Sequence, residues 1–198
     1  MDNPDGGGDA THKAALRAEA LASRNALGAA DRAAAADSIA AHAGKILEAL
    51  RPATVALYLP IGSECATAPL MATAVSLGAA LGLPAVVDQA TLVFRRYRPG
   101  DRLVPGGFGT RAPEELAPLV QPDVVVVPVV AFDRRGARLG YGRGHYDRAI
   151  TALREAGQNP LLLGIAFSVQ EVEPIPAEPH DVHLDWVVTE KGTLDFRE

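Results

Sequence analysis

The sequence predicts an α/β fold with three layers, in which a mainly parallel central sheet lies between two layers of helices. Two observations support this class. Apolar, strand-like runs alternate with helical segments, and such alternation connects by right-handed crossovers into a parallel sheet. The strongest run, PDVVVVPVVAF at residues 122–132, is apolar throughout, as is typical of a central strand covered on both faces.

The bulk composition favours a soluble protein with one folded domain. We expect a flexible tail over residues 1–11 and a single α/β domain over 12–198. The start of the chain lacks the basic and apolar regions of a secretory signal, and no run approaches the roughly 20 apolar residues that span a bilayer. Cys65 is the only cysteine, which excludes an internal disulfide. These features indicate a cytoplasmic protein without membrane contact, and we expect a monomer.

The helices are predicted from their spacing of apolar residues and from their boundary signals. The first follows Thr11, a plausible N-cap, and is interrupted by Gly28. The third should end near Gly78 or Gly82. The predicted helices cover residues 12–27, 30–50, 69–82 and 144–156.

The strands are predicted from short runs rich in β-branched and aromatic residues. Arginines in FRRYR (94–98) favour an edge strand there. Pro128 cannot donate a ladder hydrogen bond, so we expect a bend or bulge within 122–132. Residues 99–113 are rich in proline and glycine and predict an irregular, functional connection. The other predicted strands cover residues 54–60, 81–87, 91–98, 161–167 and 184–189.

One concentrated basic loop stands out in an acidic chain. The net charge is −5, yet residues 133–148 hold five arginines and two aspartates. In the stretch RRGARLGYGRGHYDRAI (134–150), three alternating glycines precede a helix. Glycines let the backbone approach an anion, and the helix end supplies a positive field. The spacing matches neither common nucleotide motif, so it indicates some phosphorylated ligand or a plain glycine turn.

Several other residues allow two interpretations each. Asp147 fits either a Mg²⁺ ligand or a first-turn carboxylate favoured by the helix dipole. His180 and His183 could form a metal pair, but without a third ligand a solvated turn is simpler. Cys65 could be a nucleophile, although the sequence assigns it no base. FRRYR could stack on RNA bases, with an edge strand as the simpler interpretation.

The segment DVVVVPVVAFDRRGARLGYGRGHYDRAI resembles the signature of the 5-formyltetrahydrofolate cyclo-ligase family, roughly P-G-[LV]-A-F-D-x-x-G-x-R-L-G-x-G-x-G-Y-Y-D. The similarity extends, in the family's order, to KAALRAE, LYLPIGSECAT, PGGFGTRAPEE and IPAEPHDVHLDWVVTEKG. It covers nearly all of residues 13–192. The resemblance implies ATP- and Mg²⁺-dependent closure of 5-formyltetrahydrofolate to 5,10-methenyltetrahydrofolate, with release of ADP and phosphate.

The resemblance also implies roles for individual residues. Arg143 would be the catalytic cation for the migrating phosphoryl group, and Asp147 and Asp181 would hold Mg²⁺. The folate site would be formed by Leu59, Glu64, Tyr141 and His145. Lys13 and Arg17 could instead be solvated helix charges, and Leu59 a core residue. The implied ATP site comprises Lys13, Arg17, Arg138, Leu139, Gly140, Tyr141, Gly142, Arg143, Gly144, His145 and Tyr146.

Three positions depart from the family pattern, and they concern the folate side more than ATP. His145 replaces the first tyrosine of Y-Y-D, Ala66 stands where an acid is usual, and Ala112 where a glutamate is common. A diverged relative that binds nucleotide or pterin without ring closure is therefore a second hypothesis. An RNA-binding module is a third, disfavoured by the acidic charge and the lack of a known motif, so we expect small-molecule ligands and no nucleic acid.

Overall fold

The computed structural model describes residues 6–176, 178 and 181–197, and every side chain in these ranges except those of residues 6, 7 and 108. Its α-helices are α1 (Gly6–Ala26), α2 (Ala29–Leu50), α3 (Ala68–Ser76) and α4 (His145–Glu155). Its strands are β1 (Thr54–Ala56), β2 (Ala80–Val86), β3 (Leu92–Tyr97), β4 (Leu103–Pro105), β5 (Arg111–Pro113), β6 (Val124–Pro128), β7 (Ala131–Phe132), β8 (Arg138–Leu139), β9 (Leu161–Ile165), β10 (Trp186–Thr189) and β11 (Gly192–Asp195).

The central sheet has seven strands in the order β11-β10-β9-β6-β1-β2-β3. All neighbours from β10 to β2 pair in parallel, whereas the edge strands β3 and β11 pair antiparallel. The predicted mainly parallel sheet is therefore confirmed. The FRRYR segment lies at the sheet edge as predicted, and its Arg95 donates to the carbonyl of Ala117 at 2.8 Å.

Both faces of the sheet are covered, which confirms the three-layer class. Val124 and Val126 of β6 belong to a core cluster with residues of α2 and α3. Val125 and Val127 belong to a second cluster with Ile150 of α4. All four valines are at most 1% exposed, because successive side chains of a strand point to opposite faces. The continuous apolar run in the sequence follows from this two-sided burial.

The first helix begins earlier than predicted, so Thr11 is not its N-cap. Helix α1 starts at Gly6, and residues 6–11 of the predicted tail are helical. Asp9 lies in the first turn, where its negative charge favours the positive end of the helix. Residues 1–5 of that tail lie outside the described residues.

Four other predicted elements differ from the structure, at least in their bounds. The central strand does not reach Phe132, because its ladder ends at Pro128 and Phe132 pairs with Arg138 in a separate hairpin. The third helix ends at Ser76, near Gly78, the earlier of its two predicted ends, and the φ of 86° at Gly78 suits glycine after a helix end. The predicted irregular connection at 99–113 contains the antiparallel pair β4 and β5. The strand predicted over 54–60 is shorter, and β11 is additional.

The strand order reverses between β1 and β6, which defines where a ligand cleft is expected. From β1 the chain crosses through α3 to β2 on one side, and it returns to β6 on the other side. Open α/β sheets bind ligands beyond the carboxyl ends of their strands at such a reversal. Among the described residues, none of the helices combines the length and the apolar character that crossing a bilayer requires.

Candidate active site

A large cleft lies at this reversal, beyond the carboxyl ends of β1, β2 and β6. Its volume is about 1070 Å³, just above the range of about 300–1,000 Å³ that is usual for small-molecule pockets. Its walls are formed by α1, the segment after β1, the β4–β5 hairpin, residues 138–148, and Glu178 with Asp181. The cleft therefore has room for a nucleotide beside a second ligand.

The glycine loop, residues 140–144, connects β8 to α4 along one wall of the cleft. Gly142 and Gly144 have φ values of 86° and 65°, in the left-handed region that side chains disfavour. Gly144 is the N-cap of α4, and a Cβ there would lie 2.8 Å from Nη1 of Arg148. Both positions therefore require glycine, and the loop turns its backbone toward the positive end of α4.

Helix α1 contributes two cations to the cleft, neither of them a freely solvated helix charge. Lys13 is 5% exposed, and its Nζ donates to Oε1 of Glu178 at 2.7 Å and to Oδ2 of Asp181 at 2.9 Å. Burial alone would lower the pKa of Lys13, but the two carboxylates raise it above its ordinary value. Arg17 donates from Nε to the carbonyl of Gly140 at 2.9 Å, which fixes the start of the glycine loop.

The structure brings both predicted metal ligands to the same cleft. Oδ1 of Asp147 accepts from Nη2 of Arg138 at 2.8 Å and from the backbone amide of Val182 at 3.2 Å. Val182 follows Asp181 directly in sequence, and Asp147 and Asp181 both line the cleft.

The donor set suits Mg²⁺ better than a metal held by protein groups alone. Within the described ranges, no three His, Cys, Asp or Glu side chains are grouped so that they could hold an ion. Mg²⁺ commonly takes one or two carboxylates together with phosphate oxygens and water. Asp147 and Asp181 would provide the carboxylates. His183 is exposed, and its proposed partner His180 lies outside the described residues.

The four residues predicted for folate, Leu59, Glu64, Tyr141 and His145, all line the cleft. Leu59 is half-buried, and Oε2 of Glu64 accepts from the amide of Ile61 at 2.9 Å. Burial raises the pKa of Glu64, while that amide, Arg24 and Tyr141 act in the opposite direction. A nitrogen of the His145 ring, Nε2, lies 3.1 Å from the carbonyl oxygen of Gln89.

The remaining residues predicted for the ATP site divide between cleft and core. Tyr146 lines the cleft and also packs edge-on against Phe94, with ring centroids 6.4 Å apart. Burial, followed by the charge of Glu64, raises the pKa of its hydroxyl. Arg143 is exposed at the cleft, and its carbonyl accepts from Nη2 of Arg148 at 2.8 Å. Leu139 is buried, with its side chain packed beneath α1.

Sequence reasoning missed some residues of the site and left Cys65 open. Arg24 of α1 contacts Tyr141, and Arg111 of the β4–β5 hairpin lines the cleft. Arg24 stands seven residues after Arg17, on the same helix face, so its spacing could have indicated its place in the site.

Cys65 is buried, and burial raises its pKa to about 12, which argues against a nucleophilic thiolate.

The fold and the cleft define an α/β domain with a cationic, glycine-lined ligand site at the carboxyl edge of a parallel sheet. The model of the 5-formyltetrahydrofolate cyclo-ligase family matches residues 9–190. The chain therefore belongs to the 5-formyltetrahydrofolate cyclo-ligase family.

Individual relatives agree with this family assignment. A 5-formyltetrahydrofolate cyclo-ligase from Mycolicibacterium smegmatis is 38% identical over 147 residues, which cover 70% of this chain and 74% of that protein. The one from Escherichia coli K12 is 34% identical over 142 residues, covering 69% and 77%. The structure of 5,10-methenyltetrahydrofolate synthetase from Aquifex aeolicus is similar with a TM-score of 0.78 and 32% identity, covering 94% of this chain and 93% of that one.

Proposed function

We propose that this chain converts 5-formyltetrahydrofolate and ATP into 5,10-methenyltetrahydrofolate, ADP and phosphate, with Mg²⁺. The observation that supports this function most is that a glycine loop, several arginines and two carboxylates line one cleft in a member of the cyclo-ligase family. The family assignment supports the ring closure and the use of ATP. The Mg²⁺ requirement and the residue roles below are our inference from the contacts.

The chemistry needs positioning and charge stabilisation more than covalent help from the protein. A formamide oxygen is a poor leaving group, so it first attacks the γ-phosphorus of ATP, and the bond from that phosphorus to ADP breaks. N10 of the folate then attacks the formyl carbon. The carbon–oxygen bond breaks, phosphate leaves with the electron pair, and the N10 proton passes to solvent. Reactions of this kind are accelerated mainly by orientation and by fixed cations near developing charge.

On this proposal, the glycine loop holds the triphosphate. Amides at the start of α4 and the backbone of Gly140, Gly142 and Gly144 face the phosphates, with Arg17 fixing the loop. Arg143 is assigned as the cation for the transferring group, since it lies within this loop and its exposed side chain lines the cleft. The other proposed ATP contacts are Lys13, Arg138, Leu139, Tyr141, His145 and Tyr146.

Lys13 and Arg138 serve a second purpose, since each binds a carboxylate of the cleft. Lys13 contacts Asp181, and Arg138 contacts Asp147. These contacts hold each carboxylate in place at the cleft. Mg²⁺ held by Asp147 and Asp181 would neutralise phosphate charge and polarise the transferring group.

The folate is proposed to occupy the end of the cleft near β1. Leu59 offers an apolar surface, and Glu64 offers a hydrogen-bond acceptor for the amino and ring N–H groups of a pterin. Tyr141 of the glycine loop and His145 at the start of α4 also line the cleft and are the other proposed folate contacts. We further propose that residues 12–198 act as one domain, in a cytoplasmic monomer that binds neither nucleic acid nor membrane.

An absorbance assay for the methenyl product tests the reaction directly. We expect product from 5-formyltetrahydrofolate only when ATP and Mg²⁺ are both present. ADP release without product would instead favour a diverged, nucleotide-binding relative. No product under any of these conditions would contradict the proposal.

The role of Arg143 is tested with a matched control from the same arginine-rich segment. Arg143→Ala should lower turnover by about 10²- to 10³-fold, the scale for one preorganised electrostatic donor. Arg134 is 75% exposed on its side chain and pairs with Glu171 outside the cleft. Arg134→Ala should therefore leave turnover unchanged, and equal effects of the two substitutions would remove Arg143 from the mechanism.

A further inference from the structure

Arg24 of α1 is a buried cation that the proposed reaction does not yet use. It is 3% exposed, in a helix whose neighbouring polar positions are mostly solvated. Its Nε donates to Oγ of Ser63 at 3.0 Å, and its Nη2 donates to the hydroxyl of Tyr141 at 2.9 Å. The guanidinium carbon also lies 5.9 Å from the centre of the Tyr141 ring. One side chain thus contacts two different walls of the cleft.

The third nitrogen of this guanidinium makes the arrangement unusual. Nη1 of Arg24 is buried without a hydrogen-bond partner, the only such side-chain nitrogen or oxygen in the described part of the chain. A buried charge with an unsatisfied donor is destabilising, so burial of an arginine here needs a compensating use. The nearby carboxylate of Glu64 compensates in part for the burial of this charge, because the charge of Arg24 favours the ionised form of Glu64.

We propose that Arg24 is a positioning residue of the folate site, which ties Tyr141 of the glycine loop to the turn at Ser63 and Glu64. The proposal rests on the proposed function, since it assigns the cleft end near Glu64 to folate. It explains how the two ligand sites keep one geometry. Tyr141 is anchored from behind by Arg24, while the loop that carries it faces the ATP side.

The same arrangement predicts an electrostatic effect on Glu64. Burial raises the pKa of Glu64, and the charge of Arg24 is one of the groups that oppose this rise, together with the amide of Ile61 and Tyr141. Removing Arg24 should therefore raise the pKa of Glu64 further. The other titratable groups near this carboxylate have pKa values raised by burial and stay neutral at pH 7: Tyr58, Cys65 and Tyr146.

Steady-state kinetics separate a positioning role from a general one. Arg24→Gln keeps a polar side chain but removes the charge and the double contact. We expect the KM for 5-formyltetrahydrofolate to rise by about 10- to 100-fold, the scale of a lost hydrogen bond to a charged group, with little change in the KM for ATP. The acid limb of the kcat/KM profile for folate should move to higher pH. Equal rises of both KM values, or an unmoved acid limb, would overturn the proposal.

Two further substitutions divide the geometric and electrostatic parts. Arg24→Lys keeps the charge but cannot reach both Ser63 and Tyr141, so the acid limb should return toward that of the wild type while the folate KM stays high. Arg32 lies on α2, where it donates to the carbonyl of Leu27 away from the cleft. Arg32→Gln is the matched control and should change neither KM.

Tyr141→Phe keeps the proposal testable if substitutions of the buried arginine prevent folding. Tyr141 is 48% exposed, and the substitution keeps the ring but removes the hydroxyl, which contacts Arg24 and also hydrogen-bonds Glu64. The folate KM should rise selectively here too, and an unchanged value would contradict the proposal.

Calorimetric titration with 5-formyltetrahydrofolate separates the two proposals, because binding needs no turnover. Wild-type protein that binds folate without closing the ring would contradict the reaction alone, and Arg24→Gln should still weaken that binding. If wild-type protein closes the ring and the Arg24→Gln variant binds folate with unchanged affinity, only the role of Arg24 is contradicted.

Discussion

Replacing Lys13 by methionine should destabilise the protein as well as impair ATP binding. Methionine has a similar length and fills the same space without charge or donors. The substitution removes two contacts from Nζ, at 2.7 Å to Glu178 and 2.9 Å to Asp181. Both acceptors lie about 165 residues away in sequence, so these contacts join α1 to the segment before β10.

The size of the effect follows from the burial of the three groups. Breaking a fully buried ion pair by removing one partner costs about 3–5 kcal/mol, and exposed pairs contribute about 0–1 kcal/mol. The Lys13 side chain is 7% exposed, but those of Glu178 and Asp181 are 41% and 28% exposed. Water therefore screens the acids that remain, and we expect a loss of about 1–3 kcal/mol. At about 2–4 °C per kcal/mol for a chain of this length, Tm should fall by roughly 2–12 °C.

The pH dependence gives this prediction a definite sign. The pKa of Lys13 is raised in the folded protein, so its charged form is favoured by folding. The stabilisation is fully present below the unfolded lysine pKa of about 10.4, and it is lost as pH rises through the folded pKa. The difference in unfolding free energy between wild type and Lys13→Met should thus be constant from pH 7 to 9 and shrink above about pH 10.5.

Thermal unfolding followed by circular dichroism measures both quantities. Lys45 on α2 is exposed, which makes Lys45→Met a matched control with an expected change in Tm below about 1 °C, since exposed substitutions have small effects. If Lys13→Met unfolds at the same temperature as this control, the two ion pairs do not stabilise the fold. A difference that stays constant above pH 10.5 would contradict the raised pKa of Lys13.

Three other substitutions or treatments test separate parts of the structure. Asp147→Asn should lower Mg²⁺-dependent turnover by about 10²-fold, as measured by titrating the ion, and an unchanged Mg²⁺ dependence would exclude Asp147 as a ligand. Gly164→Ala should lower the free energy of unfolding in urea by about 1–3 kcal/mol, because its Cβ would lie 2.5 Å from Cδ1 of Leu184. Cys65, with its pKa raised to about 12, should resist alkylation at pH 8 until the chain is unfolded, and rapid labelling of the native protein would refute its burial.

The central elements of the fold could be predicted from the sequence because local composition decides them. The valines of β6 are apolar on both faces, and in a short segment this pattern is typical of a strand buried between two layers. The peripheral elements are harder to predict from the sequence. In β11, Gly192–Asp195, burial alternates between half-buried and exposed, so the strand depends on pairing with β10 more than on its own composition. The β4–β5 hairpin is likewise defined by its pairing, within a segment whose prolines and glycines predict irregular structure.

In the site, too, the contiguous motif could be predicted from the sequence, whereas contacts between residues far apart in the chain could not. The glycine loop is contiguous, so its motif could be recognised from the residues alone. The cations of α1 are different. Lys13, Arg17 and Arg24, spaced by four and seven residues, fall on one face of the helix, a pattern equally typical of a solvated face.

What distinguishes these cations is their partners, which come from three separate parts of the chain. Lys13 contacts the acids at 178 and 181, Arg17 the backbone of Gly140, and Arg24 the turn at Ser63 together with Tyr141. Leu16 and Ala20 are buried against the β7–β8 hairpin, and this packing holds α1 in place. A single helix face thus contacts Glu178 and Asp181, the glycine loop, and the turn at Ser63. Substitutions along it should impair different ligands according to which wall each cation contacts.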